Sequence, residues 1–131
     1  TGSAQGKLDR VLSGAQLLRY QELVRRIPVP DHVYEYCVRL VRRSRPVDGA
    51  PDWVKSWITW GAGPRAVQNL ILGAKARCAL NGSYMVRMED VNAVTAEVLT
   101  HRIQLSFHAE SEGVTPRDVI ERLVQEVSGN E

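Results

Sequence analysis

A chain of 131 residues has the length of one domain, and at 44% hydrophobic and 24% charged it can bury a core without disulfide or metal staples. Its 17 basic and 15 acidic residues leave a net charge of +2, too balanced for the basic excess of a dedicated nucleic-acid binder. No apolar run approaches the length of a membrane span and no signal peptide is visible, while Cys37 and Cys78 lack zinc-type spacing and fit a reducing cytoplasm.

Residues 1–10 begin small and polar and read as a flexible tail or cloning remnant; the folded domain is assigned to residues 11–131. Ser13 opens the first helix as an N-cap. Gln16 three residues on completes a capping box, and Leu12 and Leu17 are spaced as a hydrophobic staple. Leu17, Leu18, Tyr20, Leu23, Val24 and Ile27 continue the apolar pattern, Arg25 and Arg26 suit the last turn, and Pro28 ends the helix. A second helix is predicted from about Pro30 to Ser44, with Val33, Tyr36, Cys37, Leu40 and Val41 on its apolar face. The arginines Arg42, Arg43 and Arg45 cluster at its end, either as a solvated, dipole-favoured run or as a contact for a partner or an anion.

Pro46, Gly49 and Pro51 mark a loop. Residues 52–56 fit a short helix and 57–60 a short extended piece, and the three tryptophans here, Trp53, Trp57 and Trp60, read as packing anchors. A third helix runs from Pro64 to about Leu80 with Val67, Leu70, Ile71, Ala74 and Cys78 on one face, closed by Asn81-Gly82. Gly73 inside it costs roughly 1 kcal/mol relative to alanine, which close approach of another backbone would explain. Residues 84–87 are expected to be extended and to pair with 57–60. A fourth helix spans about Glu89 to Thr100, residues 101–113 read as irregular, and a last helix starts at Thr115-Pro116-Arg117-Asp118 with a stripe of Val119, Ile120, Leu123, Val124 and Val127. The sum is a compact all-α bundle of about five helices with at most a very short two-stranded ribbon.

Chemistry concentrates at Gly61-Ala62-Gly63-Pro64-Arg65. Pro64 fits the first helical position, where its missing N–H is no loss. Arg65 then sits at the positive end of the helix dipole, the unfavourable end for a cation. A bound anion reverses that sign, because helix N–H groups and a guanidinium converge well on phosphate. The alternative is an exposed arginine paired with a nearby carboxylate.

The run Trp60-Gly61-Ala62-Gly63-Pro64-Arg65-Ala66, followed by Leu70-Ile71-Leu72-Gly73-Ala74-Lys75-Ala76, resembles the sensor-2 helix of MoxR-family AAA+ ATPases. Val11-Leu12-Ser13 with Val24-Arg25-Arg26-Ile27-Pro28-Val29, the Tyr84–Val91 segment, and Val98-Leu99-Thr100-His101-Arg102-Ile103 extend the likeness over nearly the whole chain after residue 10. Met88 departs from it, standing where the family commonly has proline, and Arg87 replaces a Ser/Thr cap.

The resemblance implies an AAA+ helical lid that closes over ATP held by a core domain absent here. Arg65 would be the catalytic sensor-2 residue on the γ-phosphate, and Gly61, Ala62, Gly63 and Pro64 would complete the nucleotide-facing loop. It further implies a core domain of the same chain that holds Mg2+, neighbouring subunits in a hexameric ring, von Willebrand factor A-domain partners, and a chaperone-like role in maturing protein complexes. No G-x-x-x-x-G-K-[ST] loop and no apolar strand ending in Asp-Glu occur in the chain, so it is expected to be inactive in hydrolysis alone. A rival class is a stand-alone helical protein- or nucleic-acid-interaction module using Arg25/Arg26 and Arg42/Arg43/Arg45. His101-Arg102 reads as a bridge to the core or a neighbour, or as a structural histidine. His32, His101 and His108 lack metal spacing, and the scattered carboxylates define no acid/base pair.

Overall fold

The computed structural model describes residues 9–129. Seven helices and two short strands follow in the order α1 (Gly14–Arg26), α2 (Asp31–Arg43), α3 (Asp52–Trp57), β1 (Ile58–Trp60), α4 (Pro64–Leu80), α5 (Met88–Leu99), β2 (Gln104–Leu105), α6 (Phe107–Ser111) and α7 (Pro116–Ser128). The five expected helices are present, α3 occupies the segment 52–56 that fitted a short helix, and α6 is an addition.

Local chemistry sets most of the boundaries. The Ser13 hydroxyl accepts from the Gln16 N–H at 3.1 Å, and the Gln16 side chain accepts from the Ser13 N–H at 2.8 Å. Thr115 and Asp118 repeat this exchange at the start of α7, at 3.2 and 2.8 Å. Helix α5 begins with half of such a box. Asp90 accepts from the Arg87 N–H at 3.0 Å, but an arginine side chain has no acceptor to return. Helix α4 ends in a Schellman turn. Gly82 adopts φ +67°, its N–H donates to the Ala79 carbonyl at 3.1 Å, and the Ser83 N–H donates to the Cys78 carbonyl at 3.0 Å.

The core lies between α2, α4, α5 and α7. Val33, Tyr36, Cys37 and Leu40 of α2 meet Leu70, Ala74 and Cys78 of α4, Val91 and Leu99 of α5, and Val119, Ile120 and Leu123 of α7. The buried Tyr36 hydroxyl donates to Asn92 Oδ1 at 2.5 Å and lies 3.0 Å from the Ser128 hydroxyl, tying α2 to α5 and α7. Both cysteines are free and buried, and burial pushes the Cys37 thiol up to about 12. Gly73 is explained by packing against a side chain rather than a backbone: a Cβ there would lie 3.3 Å from Val94 Cγ2 of α5.

Three expectations are corrected. The partner of β1 is β2, not residues 84–87; the pairing is antiparallel, with Ile58 opposite Leu105 and Trp60 opposite Gln104. Residues 84–87 form no strand: Val86 plugs into the core, and its N–H donates to the Pro28 carbonyl at 3.2 Å. Segment 101–113, expected to be irregular, contains β2 and α6, the latter capped by the Ser106 hydroxyl accepting from the Ala109 N–H at 3.1 Å. Of the tryptophans, Trp53 and Trp57 are anchors with edge-to-face rings 5.7 Å apart and the Arg122 guanidinium over both, whereas Trp60 is 73% exposed.

Helix α1 stands apart from the core. None of its residues is buried, and Leu17, Leu18, Tyr20 and Leu23 stay exposed. The Lys75 ammonium of α4 fastens its end by donating to the Arg25 carbonyl at 2.8 Å. An apolar groove lined by Leu17, Tyr20, Leu23, Leu72 and Leu80 runs between α1 and α4.

Candidate functional site

The 61–65 segment leads from β1 into α4 and is fixed from below by the end of α2. Ser44 is fully buried; its hydroxyl donates to the Val41 carbonyl at 2.7 Å and accepts from the Ala62 N–H at 3.0 Å. Ala62 is likewise fully buried, so the loop is pinned at its middle. Gly61 is required by the same contact, because a Cβ there would lie 2.3 Å from the Ser44 carbonyl oxygen and 2.7 Å from Arg45 Cα. Both obstacles are backbone and cannot rotate away.

The other half of the loop faces outward. Gly63 is the N-cap of α4, with φ −93° and ψ 178°, and a Cβ there would meet nothing within 4 Å. Pro64 occupies the first helical position, as expected, and Arg65 follows it, exposed. The helix start offers fewer free donors than a generic one: Pro64 has no N–H, and the Ala66 N–H donates to the Gly63 carbonyl at 2.9 Å. The Arg65 carbonyl accepts from the Asn69 side-chain amide at 2.9 Å. No carboxylate pairs with the Arg65 guanidinium among the described residues.

A cleft of about 560 Å³ opens over this segment. It is lined by Thr59, Trp60, Gly61, Ala62, Gly63, Arg65 and Ala66, together with Arg45, Pro46 and Val47 from the α2 exit and Arg102 from the turn after α5. Three arginines and no acidic residue line it. The structure therefore brings four of the five motif positions into one lining, and Pro64 is not part of it.

Sequence reasoning did not join Arg45 and Arg102 to this site. Arg45 belonged to the terminal run of α2: Arg43 pairs with Glu126 at 3.3 Å, while Arg45 lies between this cleft and a neighbouring one that it shares with Arg42 and Arg43. Arg102 is half-buried. Its Nη1 donates to the Val98 carbonyl at 2.5 Å and contacts the His101 ring. No cluster of three or more His, Cys, Asp or Glu forms among the described residues. No helix among them is long and apolar enough to cross a membrane.

Comparison with known proteins agrees with this architecture. Residues 52–123 match the family model described as the AAA lid domain. The chain is 35% identical over 128 residues to the Chaperone MoxR1 of Mycobacterium tuberculosis, an alignment that covers 97% of this chain and 34% of that protein. It superposes with a TM-score of 0.80 and 30% identity on the crystal structure of a candidate ATPase from Cytophaga hutchinsonii, over 85% of this chain and 34% of that one. The chain thus spans about a third of the length of the relatives it matches. It belongs to the AAA lid domain family, as the lid of a MoxR-type AAA+ ATPase.

Proposed function

We propose that this lid closes over a nucleotide held by a core domain of the same chain and lays Arg65 against its terminal phosphate. The observation that carries the reading is Arg65 itself, a guanidinium at the positive end of α4 in a cleft without a carboxylate. Such a placement is unfavourable alone and favourable with an anion between the two positive groups. The residues present suit phosphate: guanidiniums for charge, and at Gly63 a backbone with open space above it. ATP bound to the core would supply the bond that is broken, with Mg2+ held by core residues. Arg65 would stabilise charge on the transferring phosphoryl oxygens and register whether the γ-phosphate is present.

The exposed groove between α1 and α4 is assigned to contact with the next subunit. A ring of six subunits, von Willebrand factor A-domain partners, a cytoplasmic setting and chaperone-like action on protein complexes complete the reading. The Mycobacterium relative carries the name chaperone. The test is Arg65→Ala in the full-length protein. ATP hydrolysis and ATP-dependent assembly should both fall, and a variant with both unchanged would remove Arg65 from this role.

A further inference from the structure

We propose that Arg45 and Arg102 join Arg65 as a three-cation cradle that holds a chain of phosphates, and that these two arginines supply much of the preference for a triphosphate over a diphosphate. The inference rests on the reading of Arg65 as a phosphate contact and extends it to two residues from other parts of the chain.

The three side chains come from three separate elements: the exit of α2, the first turn of α4 and the turn after α5. The three residues line one cleft whose walls contain no Asp or Glu, and Arg45 also borders a neighbouring cleft that holds Asp48 and Glu126. Three arginines outside the cleft take carboxylate partners: Arg43 and Arg122 share Glu126, and Arg117 meets Glu121. In the cleft no such partner exists among the described residues for Arg45, Arg65 or Arg102. Like charges gathered around one concavity repel one another and focus a positive potential into it, a cost that a bound anion removes.

Each added arginine is also held in place. Arg45 follows Ser44, whose hydroxyl is bonded to the motif loop, and its Cα sits against Gly61, so the arginine and the loop move as one unit. Arg102 is braced by its backbone N–H donating to the Leu99 carbonyl at 2.8 Å and by its Nη1 on the Val98 carbonyl. Its Nε and Nη2 make no bond among the described residues. Arg45 and Arg65 are exposed and Arg102 is half-buried, so the cradle is a wall open to a ligand presented from outside. Three guanidinium forks gain more from a ligand with more negative charge and more acceptor oxygens than one phosphate carries. Two or three linked phosphoryl groups are such a ligand.

The test uses the full-length ATPase with the variants R45A, R102A and R65A and the charge-retaining R45K and R102K. Kd is measured for ATPγS and for ADP by fluorescence titration, with inorganic tripolyphosphate as a competitor and thermal midpoints recorded for each variant. R45A and R102A should each lower the ATPγS-to-ADP affinity ratio about tenfold, the loss expected for one charge-assisted contact. The lysine variants should recover most of the ratio. Tripolyphosphate should compete with ATPγS in the unaltered protein and more weakly in R45A and R102A, which separates a nucleotide requirement from recognition of the phosphates alone. If R65A lowers the ratio while R45A and R102A leave it unchanged, the cradle is refuted and the reading of Arg65 stands. If none of the three alters it, both fall. If R45A and R102A weaken ATPγS and ADP equally or disturb only subunit assembly, the two arginines face a protein surface and the proposal is overturned; if a variant lowers the thermal midpoint, its lysine counterpart decides.

Discussion

At the scale of single residues, the two glycines of the loop have different physical reasons for being there. Gly61 is squeezed by backbone, so Gly61→Ala has to push Ser44 and Arg45 away. A destabilisation of about 2 kcal/mol or more is expected in urea unfolding, with α4 displaced from α2. Gly63 meets open space. Gly63→Ser adds a capping hydroxyl and should alter stability by only a few tenths of a kcal/mol, in the stabilising direction. Equal losses from both substitutions would contradict this division. Ser44 is the less obvious partner. Ser44→Ala strands the Ala62 N–H in a buried setting and should cost about 1–3 kcal/mol by the same measurement. The glycines and Arg65 were legible as a motif because they are adjacent in sequence. The clamp on Gly61, and the approach of Arg45 and Arg102, were not, because they depend on segments meeting across the fold. A chain read in order shows Arg45 only as the end of a basic run.

At the scale of elements, helices with side-chain caps were the most readable. Ser13 and Thr115 announce their helices because each hydroxyl has a defined N–H to accept from, and the structure has both boxes. Thr115→Ala should destabilise the domain by about 1 kcal/mol. The Thr115 hydroxyl and N–H hold the Asp118 carboxyl below its ordinary value. A lowered folded value means that this contribution is present above the ordinary carboxylate range and is lost as the pH falls below about 4. The gap between the unaltered protein and Thr115→Ala should therefore narrow in acid, while the bond from the Asp118 N–H to the Thr115 hydroxyl keeps it from closing; a constant gap down to pH 2 would exclude the linkage. Strands were the least readable elements. With three and two residues they are too short for a period of two to emerge, so the sequence marked 57–60 as extended but gave no means of choosing its partner. Helix α1 shows the opposite case, a clear apolar stripe that the chain leaves uncovered. Leu23→Glu should leave unfolding of the isolated domain nearly unchanged, since Leu23 is 57% exposed, but weaken assembly of the full-length protein measured by sedimentation. Unchanged assembly would remove the groove from the docking role assigned to it.

At the scale of the whole molecule, the all-α bundle and its family were accessible from sequence, because conspicuous helices and several short motifs agree along most of the chain. The cleft could not be, because its walls come from the segment after α2, from β1, the 61–63 loop and α4, and from the turn after α5. The isolated domain offers arginines without a phosphate-cradling Gly-Lys loop, so purified alone it should show no magnesium-dependent ATP hydrolysis above a buffer blank. The central claim is that the cleft over residues 61–65 receives the terminal phosphate of a nucleotide held elsewhere. The most direct measurement is a structure of the full-length protein with a non-hydrolysable ATP analogue and Mg2+. It should place an Arg65 guanidinium nitrogen about 2.7–2.9 Å from a γ-phosphate oxygen. An Arg65 side chain bonded to a protein carboxylate, with the γ-phosphate contacted only by core residues, would contradict it.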